Sequence, residues 1–237
     1  MRKVAVIGSS GAIGSAFVDH YINDLSINSI FSFSRSSIGI DNNKVKHFLI
    51  DIENESSIEN AAKSVEETNF DEIIIASGLL HTNEFGPEKS IKDLKADNIL
   101  KVLNVNTVGP AIIGKYFLPL LTKENKSVMA FLSARVGSIS ENKLGGWYSY
   151  RASKSALNQV IKTFSIELKR TNPKAIIIGL QPGTVDSELS APFKRSVSNN
   201  KLFSAEYSVS QLLEVIERAD DSSSRNLISW DGEIISP

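Results

Sequence analysis

Seven short apolar runs, separated mostly by amphipathic segments, constrain the fold more than any other feature of the sequence. The first contains VAVIG and the fifth reads SVMAFLS, and neither alternates between apolar and polar residues. Uninterrupted apolar runs predict strands that are buried on both faces, as in a parallel sheet covered by helices. Since helical periodicity follows most of the runs, we expect an α/β fold in which residues 1–237 form a single doubly wound domain with about seven strands.

The composition narrows the classes of function. Lys and Arg number 26 against 27 Asp and Glu, and they form no basic stripe, so we expect neither a nucleic-acid partner nor an anionic membrane surface. Cysteine is absent, which excludes disulfides and thiolate chemistry. His20, His47 and His81 lack the spacing of metal ligands, so no metal site is expected. No run approaches the ~20 apolar residues of a membrane helix, and we expect a cytoplasmic protein.

A glycine-rich turn lies between the first predicted strand and the first predicted helix. It reads GSSGAIG over residues 8–14, and a Rossmann-type domain binds a pyrophosphate at this position. Glycines let the backbone approach the phosphates, and the helix N-terminus offers free N–H groups. The alternative is an ordinary turn between strand and helix. The candidate cofactor contacts in this turn are Gly8, Ser10, Gly11, Ile13 and Gly14.

The end of the second predicted strand bears on which dinucleotide would bind. An NAD site has an acidic residue there for the ribose 2′-hydroxyl, whereas this strand ends in Ser34-Arg35. Arg35 could pair with a 2′-phosphate, so we expect NADP(H), with NAD(H) as the alternative. Asp51 and Ile52 follow the third strand and could hold the adenine, although an Asp that leads into a helix is an equally good interpretation.

Tyr150 and Lys154 lie four residues apart on a predicted helix, about 40° from each other on one face. An ammonium beside a phenol favours the phenolate, so Lys154 is expected to lower the pKa of Tyr150 and make it a general acid. Tyr148 does not share this face and is interpreted as packing or pocket wall. Taken alone, this spacing would also fit a Tyr–Lys pair with no catalytic role on an ordinary helix surface.

Four motifs occur in one order: the glycine turn, Asn106 in NVNTVGP, the Tyr150–Lys154 pair, and Pro182-Gly183 after the sixth strand. Together they resemble the short-chain dehydrogenase/reductase family over nearly the whole chain. The stretch GSISENKLGGWYSYRASKSALN is similar to the C-factor-like, or sniffer-like, carbonyl reductases of that family. The glycine motif departs mildly, since Ala12 stands where the family has its middle glycine.

The resemblance implies hydride transfer between a nicotinamide and a carbonyl or alcohol carbon, that is, an NADP(H)-dependent carbonyl reductase. Tyr150 would donate the proton, Lys154 would hold the nicotinamide ribose, and Asn106 would bind a water of a proton relay. The partners implied are a small carbonyl or alcohol substrate and further copies of the chain in a homodimer or homotetramer. Further cofactor contacts implied by the resemblance are Ser77, Gly78, Tyr150, Lys154, Pro182, Gly183, Val185 and Ser187.

The catalytic serine of the family is missing. It lies three residues before a glycine after the fifth strand, and in FLSARVGSIS that position is Ala134. Ser133 is adjacent, but neighbouring side chains on a strand point to opposite faces. Ser138 is a second candidate. Losing such a donor costs roughly 10²–10³ in rate, so the alternative function is a dinucleotide-binding sensor with little or no turnover.

The region from 188 to 207 has poor periodicity and follows a strand end, where a loop covering the substrate is expected. Several residues around the presumed mouth would suit an apolar carbonyl substrate, with core or subunit packing as the alternative for each. They are His81, Leu144, Trp147, Phe193 and Phe203.

Overall fold

The computed structural model describes residues 1–37, 39–192 and 202–237. The strands are β1 (Arg2–Ile7), β2 (Ile27–Ser34), β3 (Val45–Leu49), β4 (Glu72–Ile75), β5 (Ser127–Leu132), β6 (Ala175–Gln181), β7 (Thr184–Val185), β8 (Leu202–Phe203), β9 (Leu227–Ser229) and β10 (Ile234–Ile235). The α-helices are α1 (Ala12–Asn23), α2 (Glu55–Lys63), α3 (Ala96–Leu103), α4 (Gly109–Phe117), α5 (Tyr148–Leu168) and α6 (Ala205–Arg218).

The main sheet has the order β3-β2-β1-β4-β5-β6-β9-β10. All neighbouring strands are parallel except β10, which pairs antiparallel with β9. The predicted doubly wound sheet is therefore confirmed, and β10 adds a short antiparallel edge to its seven parallel strands. The strand order reverses between β1 and β4, which is where such sheets bind ligands beyond the strand ends.

Two apolar layers enclose the sheet. Helices α1 and α6 pack on one face, where Phe17 and Leu212 are fully buried. Helices α2, α4 and α5 cover the other face, where Phe117 and Ile161 lie beneath them. The central strands β4 and β5 are buried at every position, as the apolar runs over 73–75 and 128–132 predict, and their first residues, Glu72 and Ser127, are buried as well.

The sequence over residues 96–121, ADNILKVLNVNTVGPAIIGKYFLPLL, predicts one longer helical region, but the structure is less regular there. A π-helical turn, Asn104–Val108, separates α3 from α4, and Pro110 occupies the first turn of α4. Proline is tolerated there because the first N–H groups of a helix have no intrahelical partner. The π turn widens the helix by one residue at the position of Asn106.

No helix within the described ranges is long and apolar enough to cross a membrane.

Candidate active site

The glycine turn is packed so closely that two of its positions exclude a side chain. Gly8 has φ +90°, and a Cβ there would lie 3.0 Å from the backbone of Ala76. A Cβ on Gly14 would lie 2.2 Å from the carbonyl oxygen of Gly8. The contact with Ala76 fixes the turn against the loop after β4. The turn and that loop therefore form one side of a cleft at the strand ends.

The N-terminus of α1 is open to an anion. Its cap residue, Gly11, makes no side-chain capping bond, and the first turn contains no acidic residue. Ser10 and Gly11 are exposed, and Ile13 is half-buried. The uncapped N–H groups and the positive end of the helix dipole suit a phosphate. These features fit the pyrophosphate of a dinucleotide.

Arg35 is exposed immediately after β2 and makes no hydrogen bond or ion pair with another described residue. Its guanidinium is therefore available to a phosphate. Asp51 accepts a hydrogen bond from the N–H of Glu53 at 3.0 Å and so stabilises the turn before α2. Ile52 is half-buried against the core on the α4 side of the sheet.

The loop after β4 contains an unsatisfied polar group. The hydroxyl of Ser77 is buried and has no hydrogen-bond partner in the part of the chain that the structure describes. Next to it, a Cβ on Gly78 would lie 3.8 Å from Lys154 Nζ and 3.9 Å from Asn106 Oδ1. This loop therefore joins the glycine turn to the predicted catalytic residues, and Ser77 has an unused capacity to bond a ligand.

Tyr150 and Lys154 are both buried on the inner face of α5, at 9% and 2% exposure. Lys154 Nζ lies 5.8 Å from the centroid of the Tyr150 ring and donates to the carbonyl oxygen of Leu132 at 2.8 Å. Tyr148, two residues before Tyr150, is 40% exposed. The four-residue spacing thus puts Tyr150 and Lys154 on one face of α5, together at the end of β5, and leaves Tyr148 at the surface.

The expected lowering of the Tyr150 pKa is wrong for this structure. Burial raises the pKa of Tyr150 to about 12 and lowers the pKa of Lys154 to about 8. Removing both groups from water disfavours the charged form of each. Tyr150 therefore keeps its proton at neutral pH, while Lys154 is mostly protonated at pH 7 and largely neutral by pH 9.

Asn106 is fully buried in the π turn and holds three segments together. Its amide accepts from the N–H of Leu79 at 2.7 Å and donates to the carbonyl of the same residue at 2.8 Å. It also donates to Ser153 Oγ at 3.0 Å. Asn106 thus connects the loop after β4 to α5, one turn from Tyr150.

Ala134 packs in the same apolar cluster as Tyr150. Ser133 is buried and donates to Asn158 Oδ1 at 2.6 Å. Ser138 is buried as well, and its hydroxyl accepts from the N–H of Glu141 at 3.2 Å. The structure therefore places Ala134 in the cluster that contains Tyr150, and the hydroxyls of both candidate serines are hydrogen-bonded to other residues.

The surroundings of Tyr150 are apolar. Leu80 and Val102 are buried in the same cluster as Tyr150, and the Trp147 ring lies edge-on to the Tyr150 ring, 6.2 Å away between centroids. Leu144 is 91% exposed and does not line this cluster. His81 Nε2 lies 3.2 Å from the carbonyl oxygen of Glu188. Phe193 lies outside the described residues.

The loop after β6 closes another side of the cleft. Pro182 accepts a hydrogen bond from Ser208 Oγ at 2.7 Å. Gly183 has φ +76°, and a Cβ there would lie 2.6 Å from the ring of Phe203. The Phe203 ring therefore packs against this glycine. Val185 is buried in β7 and Ser187 is half-buried. The expected covering loop, 188–207, is described at both ends only, since residues 193–201 lie outside the described ranges.

Two residues position α5 through contacts that the sequence did not predict. Glu88 is buried and accepts from both the N–H and the hydroxyl of Ser149, in the first turn of the helix. Gly137 lies against α5, where a Cβ would come within 2.8 Å of Lys154 Cβ. Neither contact follows from local spacing, because the partners come from different segments.

A model of the short chain dehydrogenase family matches residues 2–197. The chain belongs to this family. The family match agrees with the cleft, since the glycine turn, Asn106, Tyr150 and Lys154 converge at the carboxyl ends of β1, β4 and β5. The resemblance predicted from the sequence motifs is thereby confirmed.

The short chain dehydrogenase has relatives of several kinds. It is 30% identical to 1-hydroxy-2-glutathionyl-2-methyl-3-butene dehydrogenase of Rhodococcus sp. (strain AD45), over 61% of this chain and 60% of that protein's length. It is 26% identical to C-signal of Myxococcus xanthus, over 60% of this chain and 81% of C-signal.

Solved structures share its fold over the whole chain. NADPH-bound carbonyl reductase from chicken fatty liver is similar with a TM-score of 0.87, 21% identity and coverage of 100% of this chain and 99% of that one. Carbonyl reductase Sniffer of D. melanogaster also has a TM-score of 0.87, with 20% identity and full coverage of both chains.

Proposed function

We propose that this short chain dehydrogenase is an NADP(H)-dependent carbonyl reductase with Tyr150 as its proton donor. The observation that carries the proposal is the burial of Tyr150 and Lys154 together in an apolar cleft, beside a glycine turn open to an anion. A protein that only bound a dinucleotide would not need a buried Tyr–Lys pair next to Asn106. The NADPH-bound carbonyl reductase of similar fold supports the choice of chemistry.

The cofactor site would use both sides of the cleft. The N–H groups at the start of α1 would bind the pyrophosphate, and Arg35 would pair with the 2′-phosphate. The Ser77 hydroxyl, which bonds no other described residue, and the loop containing Pro182, Gly183, Val185 and Ser187 would line the remainder. When bound, the reduced nicotinamide supplies the hydride. Asp51 and Ile52 stay candidates for the adenine end.

The protein's own residues would handle the proton. Tyr150, with its pKa raised to about 12, holds a proton at neutral pH and can give it to a carbonyl oxygen. As the phenolate forms, the Lys154 ammonium would stabilise it from the same helix face. Asn106 is fixed by its bonds to Leu79 and Ser153. It would bind the water of the relay that returns a proton to Tyr150.

Tyr150→Phe tests the catalytic assignment. Wild type should consume NADPH with some member of a panel of aldehydes and ketones, and the variant should lose roughly 10²–10⁴-fold in kcat. Its melting temperature should change little, because the Tyr150 hydroxyl bonds no other described residue. Equal turnover by both proteins would contradict the proposal.

A dinucleotide-binding sensor is the second candidate, because Ala134 replaces the usual serine. It predicts that NADPH raises the melting temperature while no carbonyl in the panel is reduced. Turnover that depends on Tyr150 decides against it.

We also propose that the chain self-associates as a homodimer or homotetramer through the α3–α4 region and α5. Leu100 is 64% exposed and Val108 49% exposed in that region, which supports an apolar contact between copies. Leu100→Glu should lower the molar mass measured by light scattering, whereas an unchanged mass would exclude this face. The cytoplasmic location stays a prediction.

A further inference from the structure

We infer that Trp147 limits the size of the carbonyl substrate, because a strained backbone fixes its ring as a wall beside Tyr150. The inference rests on the proposed function and names a specificity-determining residue of the same site. The feature that points to it is the left-handed conformation of Trp147, with φ 51° and ψ 41°. Among the described residues, Arg225 is the one other non-glycine residue with a positive φ.

The strain lies in the residues that lead into α5. Gly145 and Gly146 have positive φ as well, 66° and 64°. Glycine adopts this conformation freely, whereas in any other residue it brings the Cβ too close to a carbonyl oxygen. A third glycine at position 147 would therefore be free of strain, and the chain has a bulky aromatic residue there instead. Backbone outliers of this kind persist only where the surrounding contacts fix them, and they cluster at active sites.

Hydrogen bonds to two other residues hold Trp147 in this conformation. Its N–H donates to the carbonyl oxygen of Glu88 at 2.6 Å, and its carbonyl oxygen accepts from the N–H of Arg151 at 2.8 Å. The Arg151 side chain also donates to the carbonyl oxygens of Gly146 at 3.0 Å and Val136 at 3.2 Å. Because both backbone groups of Trp147 are bonded, the direction in which its side chain leaves the backbone is fixed.

The fixed backbone puts the Trp147 ring against the ring of Tyr150. The two ring centroids lie 6.2 Å apart with the planes at 74°, so the rings meet edge to face. Lys154 reaches the same Tyr150 ring from one turn further along α5, with its Nζ 5.8 Å from the centroid. Trp147 and Lys154 therefore border Tyr150 from opposite directions along the helix.

These two directions correspond to the two reactants of the proposed reaction. Lys154 faces the loop after β4, since a Cβ on Gly78 would lie 3.8 Å from Lys154 Nζ, and the proposed dinucleotide site includes that loop. The Trp147 side of Tyr150 is left for the carbonyl compound. A carbonyl oxygen that accepts the Tyr150 proton then brings its nearest substituent up to the Trp147 ring. A wall fixed in this way discriminates by size, because a single extra group in a close-packed pocket changes the rate strongly.

Substitutions at position 147 test the inference with two aldehydes of similar reactivity. 1-Naphthaldehyde carries one fused ring more than benzaldehyde, next to the carbonyl group. Trp147→Gly removes the wall and relieves the backbone strain, so kcat/KM for 1-naphthaldehyde relative to benzaldehyde should rise about tenfold or more. Trp147→Phe, with a smaller ring, should raise the same ratio about threefold. Tyr148→Ala is the control, because Tyr148 is 40% exposed, and it should leave the ratio unchanged.

A ratio that stays constant in Trp147→Gly would overturn the inference, and so would a wild type that reduces both aldehydes equally well. Calorimetry with NADPH gives a further criterion. Affinity for NADPH should be the same in Trp147→Gly as in wild type, and a marked loss would place the Trp147 ring at the cofactor instead of the substrate.

A fluorescence measurement keeps the inference testable if the position-147 variants do not fold. The sequence contains two tryptophans, so in Trp230→Phe the emission comes from Trp147 alone. Benzyl alcohol added in the presence of NADP⁺ should shift that emission, and an unchanged spectrum would contradict the inference. This readout needs no turnover. The proposed function has a separate criterion, since it fails only if no carbonyl gives turnover that depends on Tyr150.

Discussion

The carboxylate of Glu88 caps the helix that carries Tyr150, although the two segments are far apart in sequence. It accepts from the N–H of Ser149 at 3.2 Å and from the Ser149 hydroxyl, across 61 residues of chain. The cap residue of the helix, Trp147, has φ 51° and makes no side-chain capping bond of its own. Its N–H donates instead to the carbonyl of Glu88 at 2.6 Å. Glu88 therefore sets where α5 begins, two residues before Tyr150.

Glu88→Ala should lower the free energy of unfolding by about 1–3 kcal/mol, because a buried N–H loses its acceptor. It should also lower kcat more than it raises KM, since the start of α5 is no longer held. Glu88→Gln keeps an acceptor oxygen and should retain most of the activity. Glu84→Ala, in an exposed position of the same loop, is the control. Denaturant unfolding and steady-state kinetics measure both effects, and a kcat unchanged in Glu88→Ala would contradict the positioning role.

Lys154 should make stability depend on pH in the alkaline range. Burial lowers its pKa from 10.5 to about 8, so between these values the unfolded chain binds a proton that the folded chain does not. The free energy of unfolding therefore rises as pH increases from 8 to 10.5, and this gain is lost again as pH falls through 8. Relative to Lys154→Met, wild type should gain on the order of 3 kcal/mol across this window.

Denaturant unfolding of wild type and Lys154→Met at pH 7.5, 9 and 10.5 measures that gain. Tyr150 titrates in both proteins, and its raised pKa lowers the stability of both above pH 10. A stability difference that is the same at all three pH values would show that Lys154 is not desolvated as described.

Gly14 and Gly11 should respond differently to the same added methyl group. A Cβ on Gly14 meets the Gly8 carbonyl at 2.2 Å, so Gly14→Ala should cost about 1–3 kcal/mol or more of stability. A Cβ on Gly11 has only one neighbour, at 3.5 Å, so Gly11→Ala should fold normally. Its methyl group would lie where the phosphates are proposed to bind. Gly11→Ala should thus lose NADPH affinity in calorimetry without a matching fall in melting temperature, and unchanged affinity would place the phosphates elsewhere.

Arg35 should decide between the two dinucleotides. Charge-assisted bonds to a 2′-phosphate contribute about 1.5–3 kcal/mol, so Arg35→Ala should raise the KM for NADPH roughly 10–100-fold. NADH lacks the 2′-phosphate and serves as the internal control, with a KM that should stay constant. If the variant weakens both cofactors equally, Arg35 does not read the 2′-phosphate.

The sheet could be predicted from the sequence because its signal is local. Strands such as β4 and β5 are apolar after their first residue, and burial on both faces accounts for these runs. The proximity of Tyr150 and Lys154 was predictable for the same reason, since both lie on one helix at a fixed angular spacing.

The remaining features depend on tertiary contacts. Glu88 reaches α5 from a distant loop, and no spacing in the sequence relates it to Ser149. The pKa of Tyr150 was predicted in the wrong direction because its burial, which raises the pKa, becomes visible only in the folded chain. The π turn was missed because α3 and α4 together read as one continuous amphipathic segment.

That π turn also lets a proline follow closely within the same helical segment. A π turn carries one residue more than an α-helical turn, so deleting a single residue within Asn104–Val108 would let α3 and α4 join into one regular helix. Pro110 would then lie in the interior of that helix, where a proline costs about 3 kcal/mol, and the bonds from Asn106 to Leu79 and Ser153 would be disturbed. The surplus residue is therefore a place where a shorter chain would lose both stability and the anchoring of the loop after β4.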